Sequence, residues 1–196
     1  MTMKNKLLNK YPNSVFNNTK VTEIFIADFT KRTGNQRGVE ITENQPSDPN
    51  DSNKKMPCFV IDNPNTQSIE YNIFDDKQFV DDNNNQLKHG ECCFFHSKND
   101  GRSWFAILEI KDCQANQISG YREDIAEKFK SMFNIIRNSV GISNTIYFIA
   151  SFPRNKTNFN QSMFDDYIDM KNYRKAFLVT SNRSTVVDNH IFDPYN

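Results

Sequence analysis

A glutamate and a lysine lie two positions apart near the end of an apolar segment, WFAILEIKDC, which spans residues 104–113. If this segment is a β-strand, Glu109 and Lys111 point to the same face of a sheet. Both faces of the strand carry apolar side chains, so the two charges need polar partners nearby. A carboxylate oxygen is a ligand that a hard cation such as Mg²⁺ takes, and the ammonium of a lysine beside it is a compact hydrogen-bond donor.

Three elements surround this pair and must position it. Residues 91–97 and 102–113 read as two strands, and the Asp-Gly turn at 98–101 predicts that they pair as an antiparallel hairpin. A helix is expected over residues 120–138, followed by a buried strand at 144–152 whose residues are apolar on both faces. The pair would therefore lie on the second strand of a hairpin, beside a helix.

The helix is predicted from apolar residues that recur every three or four positions. Ser119 is the expected N-cap, and carboxylates in the first turn favour the helix dipole. Lys128 and Lys130 alternate with acidic residues and are expected on the solvated face. The residues predicted to pack against the sheet are Ile118, Tyr121, Ile125, Phe129, Met132, Phe133 and Ile136.

The remaining segments predict one α/β domain over residues 1–196, with a mixed central sheet flanked by helices. Further elements are expected as a strand at 21–29, a hairpin formed by 57–62 and 67–74, a short helical piece at 163–170 and a last strand at 175–181. Residues 31–55 are rich in Gly, Asn, Pro, Ser and charge, which is typical of a long mobile loop.

The hairpin, helix and buried strand together resemble the PD-(D/E)xK nuclease fold, over roughly residues 68–152. The resemblance implies a restriction-endonuclease-like core and hydrolysis of DNA phosphodiesters with Mg²⁺ or Mn²⁺. It also implies that Glu109 and the carbonyl of Ile110 bind the metal ion, and that Lys111 orients or activates the attacking water. A prokaryotic defence or mobile-element context is associated with such a fold.

The family also expects an acidic residue on the first hairpin strand. The apolar register places Cys93 at that position, and Glu91 lies two residues earlier on the same face. We expect Glu91 to be the second metal ligand, although it must span a strand step of about 6.6 Å. Acids of the preceding segment are the alternatives, namely Asp75, Asp76, Asp81 and Asp82.

Several residues admit a second interpretation. Glu109 and Lys111 could form a structural salt bridge instead of a catalytic pair. The three-residue pattern itself has little specificity, because residues 75–77 and 169–171 also match it. A zinc site could be formed by His89, Cys92, Cys93 and His96 with Cys58 or Cys113, but no Cys-x-x-Cys pair is present and the cysteines are expected in the core. Arg154 and the residues around it, 152–160, are candidates to contact phosphate.

The formal net charge is zero, so no overall positive field attracts nucleic acid or an anionic membrane. No segment approaches the roughly 20 apolar residues of a membrane span, and a cytoplasmic protein is expected. Two functions follow from these observations. The first is a metal-dependent nuclease acting on DNA. The second is a catalytically inactive, nuclease-like accessory subunit that binds a protein partner or nucleic acid within a larger complex.

Overall fold

The computed structural model describes most of the chain, and the statements below concern those residues alone. They are residues 3–12, 14–30, 38–75, 77–97, 103–140, 145–155, 164, 166, 177–180 and 183–185. The predicted turn at 98–101 lies outside the described residues, and so does all of the predicted helical piece at 163–170 except two positions.

Two α-helices and twelve strands form the described fold. The helices are α1 (Met3–Lys10) and α2 (Arg122–Val140), and a 3₁₀ helix, Ala115–Tyr121, leads directly into α2. The strands are β1 (Asn17–Thr19), β2 (Glu23–Asp28), β3 (Val39–Thr42), β4 (Ser47–Asp48), β5 (Asp51–Lys55), β6 (Phe59–Asp62), β7 (Ile69–Ile73), β8 (Cys92–Ser97), β9 (Ser103–Ile110), β10 (Thr145–Ser151), β11 (Phe177–Thr180) and β12 (Arg183–Thr185).

The largest sheet has six strands in the order β1-β7-β8-β9-β10-β11. The strands β7, β8 and β9 are successive antiparallel neighbours, whereas β10 and β11 run parallel to β9. This arrangement is the mixed sheet expected from sequence, because α2 connects β9 to a parallel neighbour. The strand β9 therefore lies between one antiparallel and one parallel partner.

A second sheet covers one face of the first. Its four strands have the order β12-β6-β2-β3, and β4 and β5 form a separate two-stranded ribbon. Ile24, Ile26 and Ile61 of this sheet belong to the same buried cluster as Leu108 and Ile110 of β9. The expected sheet flanked by helices is therefore only half right, since a sheet covers this face and the described helices cover the other.

The helices α1 and α2 pack on the opposite face of the six-stranded sheet. Ile125, Phe129, Met132 and Ile136 are 0–3% exposed and form one cluster with Phe105, Ile107 and Phe148 of the sheet, and Phe133 packs against this cluster. The predicted apolar face of the helix is therefore confirmed. Its start differs, because Ser119 lies inside the 3₁₀ helix instead of capping α2.

Two other sequence-based expectations need correction. The strands β6 and β7 belong to different sheets, so 57–62 and 67–74 do not form a hairpin. The expected loop at 31–55 contains a strand, because β3 pairs with β2 and Val39 is buried. A strand that buries only one face can add to an existing sheet with few apolar residues. Residues 31–37 lie outside the described part of the chain.

Candidate functional site

The carboxylates of Glu91 and Glu109 both contact the ammonium group of Lys111, so the three charged residues proposed for the site lie together. The Nζ atom of Lys111 lies 2.8 Å from Oε1 of Glu109 and 3.0 Å from Oε1 of Glu91. The two carboxylate oxygens are therefore separated by less than the sum of these distances. The side chain of Glu91 therefore spans the strand step to Lys111 on the helix-covered face, and its role as a metal ligand stays a prediction.

Gly90 explains how Glu91 comes so near. A Cβ atom on Gly90 would lie 2.8 Å from Cγ2 of Ile107 and 3.1 Å from the carbonyl oxygen of Leu108. The amide of Glu91 donates a 2.9 Å hydrogen bond to that same carbonyl. Because Gly90 has no side chain, the backbone can approach β9 closely at this point. The next residue, Glu91, is thereby brought near Lys111.

A fourth charged residue, Lys128 of α2, completes the cluster. Its Nζ atom lies 2.7 Å from Oε1 of Glu109, 3.5 Å from Oδ2 of Asp124 and 3.9 Å from Oε1 of Glu91. Lys128 is not on the solvated face expected from sequence, because its side chain is only 19% exposed. On the outer side, Lys88 contacts both Asp124 and Glu127 and continues the chain of charges to the surface.

Burial perturbs the ionisation of the central pair. Glu109 is completely buried, and this burial raises the pKa of its carboxyl group despite the opposing effect of Lys111 and Lys128. Burial alone would lower the pKa of Lys111, but Glu109 and Glu91 outweigh it and raise that pKa. Lys111 therefore remains an ammonium at any physiological pH, as a group that donates hydrogen bonds and stabilises negative charge.

One buried oxygen of the cluster has no hydrogen-bond partner among the described residues. This oxygen is Oε2 of Glu109, whereas both ammonium groups contact Oε1 of the same carboxylate. An unpaired buried oxygen is costly and is found where a ligand, ion or water completes the coordination. This oxygen is the strongest structural sign that the cluster accepts a further group.

A cleft of about 460 Å³ gives solvent access to the site from the side of Glu91. Its polar lining comes from Glu91, Asp75 and His89, and its apolar lining includes Val39 and Phe74. Glu91 is 27% exposed while Glu109 is completely covered. A ligand entering this cleft meets the carboxylate of Glu91 first.

The alternative upstream acids have other environments. Asp75 lines the cleft, and its Oδ1 accepts a hydrogen bond from the amide of Lys77. Asp81 accepts hydrogen bonds from Asn83 and Asn85, mainly from Asn85, and these lower the pKa of its carboxyl group and fix a surface turn. Asp82 is exposed in that turn, and Asp76 lies outside the described residues. Glu91 is thus the acid that reaches Glu109's partner Lys111.

The cysteines are core residues, as expected. Cys58, Cys92, Cys93 and Cys113 are all buried, and no disulfide joins them. Cys93 faces the helices and Cys92 faces the second sheet, and burial raises the pKa of the Cys58 thiol to about 12. Such thiols stay protonated, which disfavours the thiolate that zinc binding needs.

Arg154 forms an ion pair with Asp112, and its side chain is 40% exposed. Its Nε and Nη2 atoms donate hydrogen bonds of 2.7 and 2.8 Å to the two oxygens of Asp112. The side chain of Asn155 donates to the carbonyl oxygen of Cys113. Both residues thus connect the segment after β10 to the segment after β9, and a contact of Arg154 with phosphate stays a prediction.

The donor set fits a small hard cation that keeps part of its water shell. Glu91 and Glu109 supply carboxylate oxygens, and Ile110 can contribute only its backbone carbonyl oxygen, since its side chain has no donor atom. Mg²⁺ is commonly bound through one or two carboxylates and several waters. Within the described ranges, no group of three or more His, Cys, Asp or Glu side chains is arranged to hold a metal ion.

Sequence reasoning found three of the four clustered residues and missed Lys128. The available signal was its spacing, because Lys128 follows Ile125 by three positions and precedes Met132 by four. A helical residue with those two spacings lies beside the buried stripe rather than opposite it. A lysine at such a position can extend along the apolar surface and bring its ammonium to the end of the sheet.

Neither the protein-family models, nor the curated proteins, nor the solved structures with which the chain was compared show a significant match to it. Among the residues that the structure describes, no helix is both long and apolar enough to cross a membrane.

Proposed function

We propose that this protein is a metal-dependent nuclease that hydrolyses DNA phosphodiesters, built on a core of the PD-(D/E)xK type. The order of elements supports this proposal. Three successive antiparallel strands, β7, β8 and β9, are followed by α2 and by β10, which runs parallel to β9. The acidic and basic residues lie at the end of β9 and just before β8, on the face that α2 covers.

The observation that carries the proposal is the contact of Lys111 with both Glu109 and Glu91. Two carboxylates and one lysine are residue types that suit metal-assisted phosphodiester hydrolysis, since carboxylates bind a hard cation and an ammonium donates hydrogen bonds. A bound Mg²⁺ or Mn²⁺ would polarise the phosphate and lower the pKa of a water. Glu91 and Glu109 would bind the ion, with the Ile110 carbonyl, and Lys111 would donate a hydrogen bond to the attacking water.

The surroundings favour this use of the charges. Apolar residues of α2 and the sheet exclude water behind Glu109, which strengthens electrostatic interactions in front of it. The cleft lined by Glu91 gives a route for a phosphodiester group. Asp75, on the same cleft, is a further carboxylate that could hold water near the site.

The decisive experiment compares Glu109→Gln with a matched control, Glu123→Gln. Glu109→Gln keeps the shape of the side chain but removes a ligand charge, so it should abolish Mg²⁺- or Mn²⁺-dependent cleavage of DNA. Glu123 is exposed in the first turn of α2, and its substitution should leave cleavage unchanged. The nuclease proposal fails if the unmodified protein cleaves no DNA or RNA with either ion and calorimetry detects no ion binding.

A specific observation also supports the second candidate, a catalytically inactive, nuclease-like accessory subunit. Lys111 and Lys128 already balance the charges of Glu91 and Glu109. Around them, Lys88 pairs with Asp124 and Glu127, and Arg154 pairs with Asp112. The central four residues, Lys111, Lys128, Glu91 and Glu109, are neutral as a group and would be stable without an ion. Stable binding of a protein or nucleic-acid partner, without cleavage under any ion, would favour this candidate.

A further inference from the structure

Lys128 has the contacts of a bound cation. Its ammonium reaches Glu109 at 2.7 Å and Glu91 at 3.9 Å, and these are the two carboxylates proposed to bind the metal ion. It comes from α2, whereas Lys111 comes from the same strand as Glu109. Lys128 is therefore not part of the Glu-x-Lys motif of the strand. The reason for its contact with Glu109 must be sought in the charges of the site.

The charge balance supplies that explanation. Two carboxylates next to each other, one of them fully buried, require about two positive charges, and Lys111 provides one of these. Lys128 provides the other. A divalent ion bound to Glu91 and Glu109 would bring two further positive charges, so the ion and the Lys128 ammonium would repel each other at close distance.

Lys128 also has a second acceptor within reach. Oδ2 of Asp124, one helical turn earlier on α2, lies 3.5 Å from its Nζ atom. Asp124 is 44% exposed, so it remains hydrated and can accept an ammonium without a large desolvation cost. A small rotation of the Lys128 side chain would exchange Glu109 for Asp124 as its main partner.

We propose that Lys128 is a tethered counter-ion of the metal site: it neutralises Glu109 and Glu91 while no metal ion is bound, and a divalent ion must displace it toward Asp124. This inference rests on the proposed metal site. It adds a regulation to that site, because every binding event must first separate the Lys128–Glu109 pair. The apparent affinity for Mg²⁺ or Mn²⁺ is then set by this lysine as well as by the ligands.

The test measures Mn²⁺ binding by titration calorimetry, without nucleic acid, for the unmodified full chain and four variants. Lys128→Met keeps most of the apolar length of the side chain and removes its charge. Lys130→Met makes the same change two residues away, at an exposed position. Asp124→Asn removes the second acceptor, and Glu109→Gln removes a metal ligand. Circular dichroism and thermal melts establish that each variant is folded.

We expect Lys128→Met to bind Mn²⁺ at least about tenfold more tightly, which corresponds to about 1.4 kcal/mol. Lys130→Met should not change the affinity, Asp124→Asn should weaken it severalfold, and Glu109→Gln should abolish binding. If Lys128→Met does not fold, Lys128→Gln replaces it and Asp124→Asn gives an independent measurement.

The outcomes separate this inference from the proposed function. If the unmodified protein binds Mn²⁺ through Glu109 and the Lys128 variants bind equally or more weakly, the inference is overturned while the metal site stands. If only the Lys128 variants bind Mn²⁺, the inference holds, and the unmodified protein is a catalytically inactive, nuclease-like accessory subunit. If no form binds Mn²⁺, both proposals are overturned.

Discussion

The guanidinium of Arg154 meets the carboxylate of Asp112 with two parallel hydrogen bonds of 2.7 and 2.8 Å. Asp112 follows Lys111 directly, and its side chain is only 4% exposed. Arg154 belongs to the turn after β10, the parallel neighbour of β9. The pair therefore fixes the backbone that follows Lys111, and Arg154 is a positioning residue for the candidate site.

Arg154→Ala should lower the free energy of unfolding by about 1.5–3 kcal/mol, because the buried Asp112 carboxylate loses two charge-assisted hydrogen bonds from an arginine that is 40% exposed. Arg154→Lys should recover only part of this loss, since lysine cannot form the two parallel bonds. Denaturation with urea measures both changes. Arg137→Ala, at an exposed position of α2, is the control. Equal stability of Arg154→Ala and the control would show that the pair has no structural role.

Gly90→Ala should destabilise the fold by about 1–3 kcal/mol, because the new methyl group would collide with Ile107 and the Leu108 carbonyl. The shift that relieves this collision moves Glu91 away from Lys111, so Mn²⁺ affinity should fall as well. Gly120→Ala is a suitable control, since a Cβ atom added to Gly120 would meet no atom within 4 Å. Unchanged Mn²⁺ affinity in a folded Gly90→Ala protein would contradict the role given to Glu91.

The stability of the protein should depend on pH through Glu109. Burial raises its pKa above the ordinary value of 4.5, so the folded chain binds this proton more tightly than the unfolded chain. The free energy of unfolding contributed by this group therefore falls as the pH rises from about 4.5 through the raised pKa. Glu109→Gln should remove this decline and be at least as stable as the unmodified protein at neutral pH.

Melting temperatures measured without metal from pH 4 upward test this sign, with Glu123→Gln as the control that keeps the decline. If Glu109→Gln is instead less stable at neutral pH, the ion pairs with Lys111 and Lys128 outweigh the cost of burial. The cluster would then be a structural salt bridge.

Amide hydrogen exchange should divide the segment at 38–55 into two parts. Residues of β3 pair with β2 and include the buried Val39, so their amides should exchange slowly. The strand β5 is mostly exposed and pairs only with β4 among the described strands, so its amides should exchange much faster. Uniformly fast exchange would mean that the whole segment is mobile, and uniformly slow exchange would mean that the β4–β5 ribbon is fixed.

Sequence patterns predicted the elements whose periodicity is strong. The strands β2, β8, β9, β10 and β11 and the helix α2 lie where alternation, apolar runs and helical spacing placed them. Short strands such as β1 and β12 were not predicted, because three residues give no period and their pairing comes from neighbours distant in sequence. The second sheet was missed although its strands β2 and β6 were predicted, because periodicity along the chain does not show which strands pair.

The candidate site was predicted to a similar extent. Glu109 and Lys111 were found because charges stand out in an apolar strand, and Glu91 because it shares a face with Cys93. Distances across the sheet could not be predicted, since they depend on the close approach at Gly90. The role of Lys128 depends on how α2 is rotated against the sheet, and spacing along one helix does not determine that rotation.

The strands β11 and β12 are consecutive in the chain but belong to different sheets. Each is an edge strand among the described residues, and only residues 181–182 separate them, so one short piece of chain joins the borders of both layers. Detachment of this piece would uncover β10 and β6 together. The two layers are thus mechanically coupled beside the charged cluster, because Thr180 of β11 pairs with Ser151 of β10 and Ser151 pairs with Ile110 of β9. A movement of this border would reach the backbone of Lys111, whose amide donates a hydrogen bond to the carbonyl oxygen of Ser151.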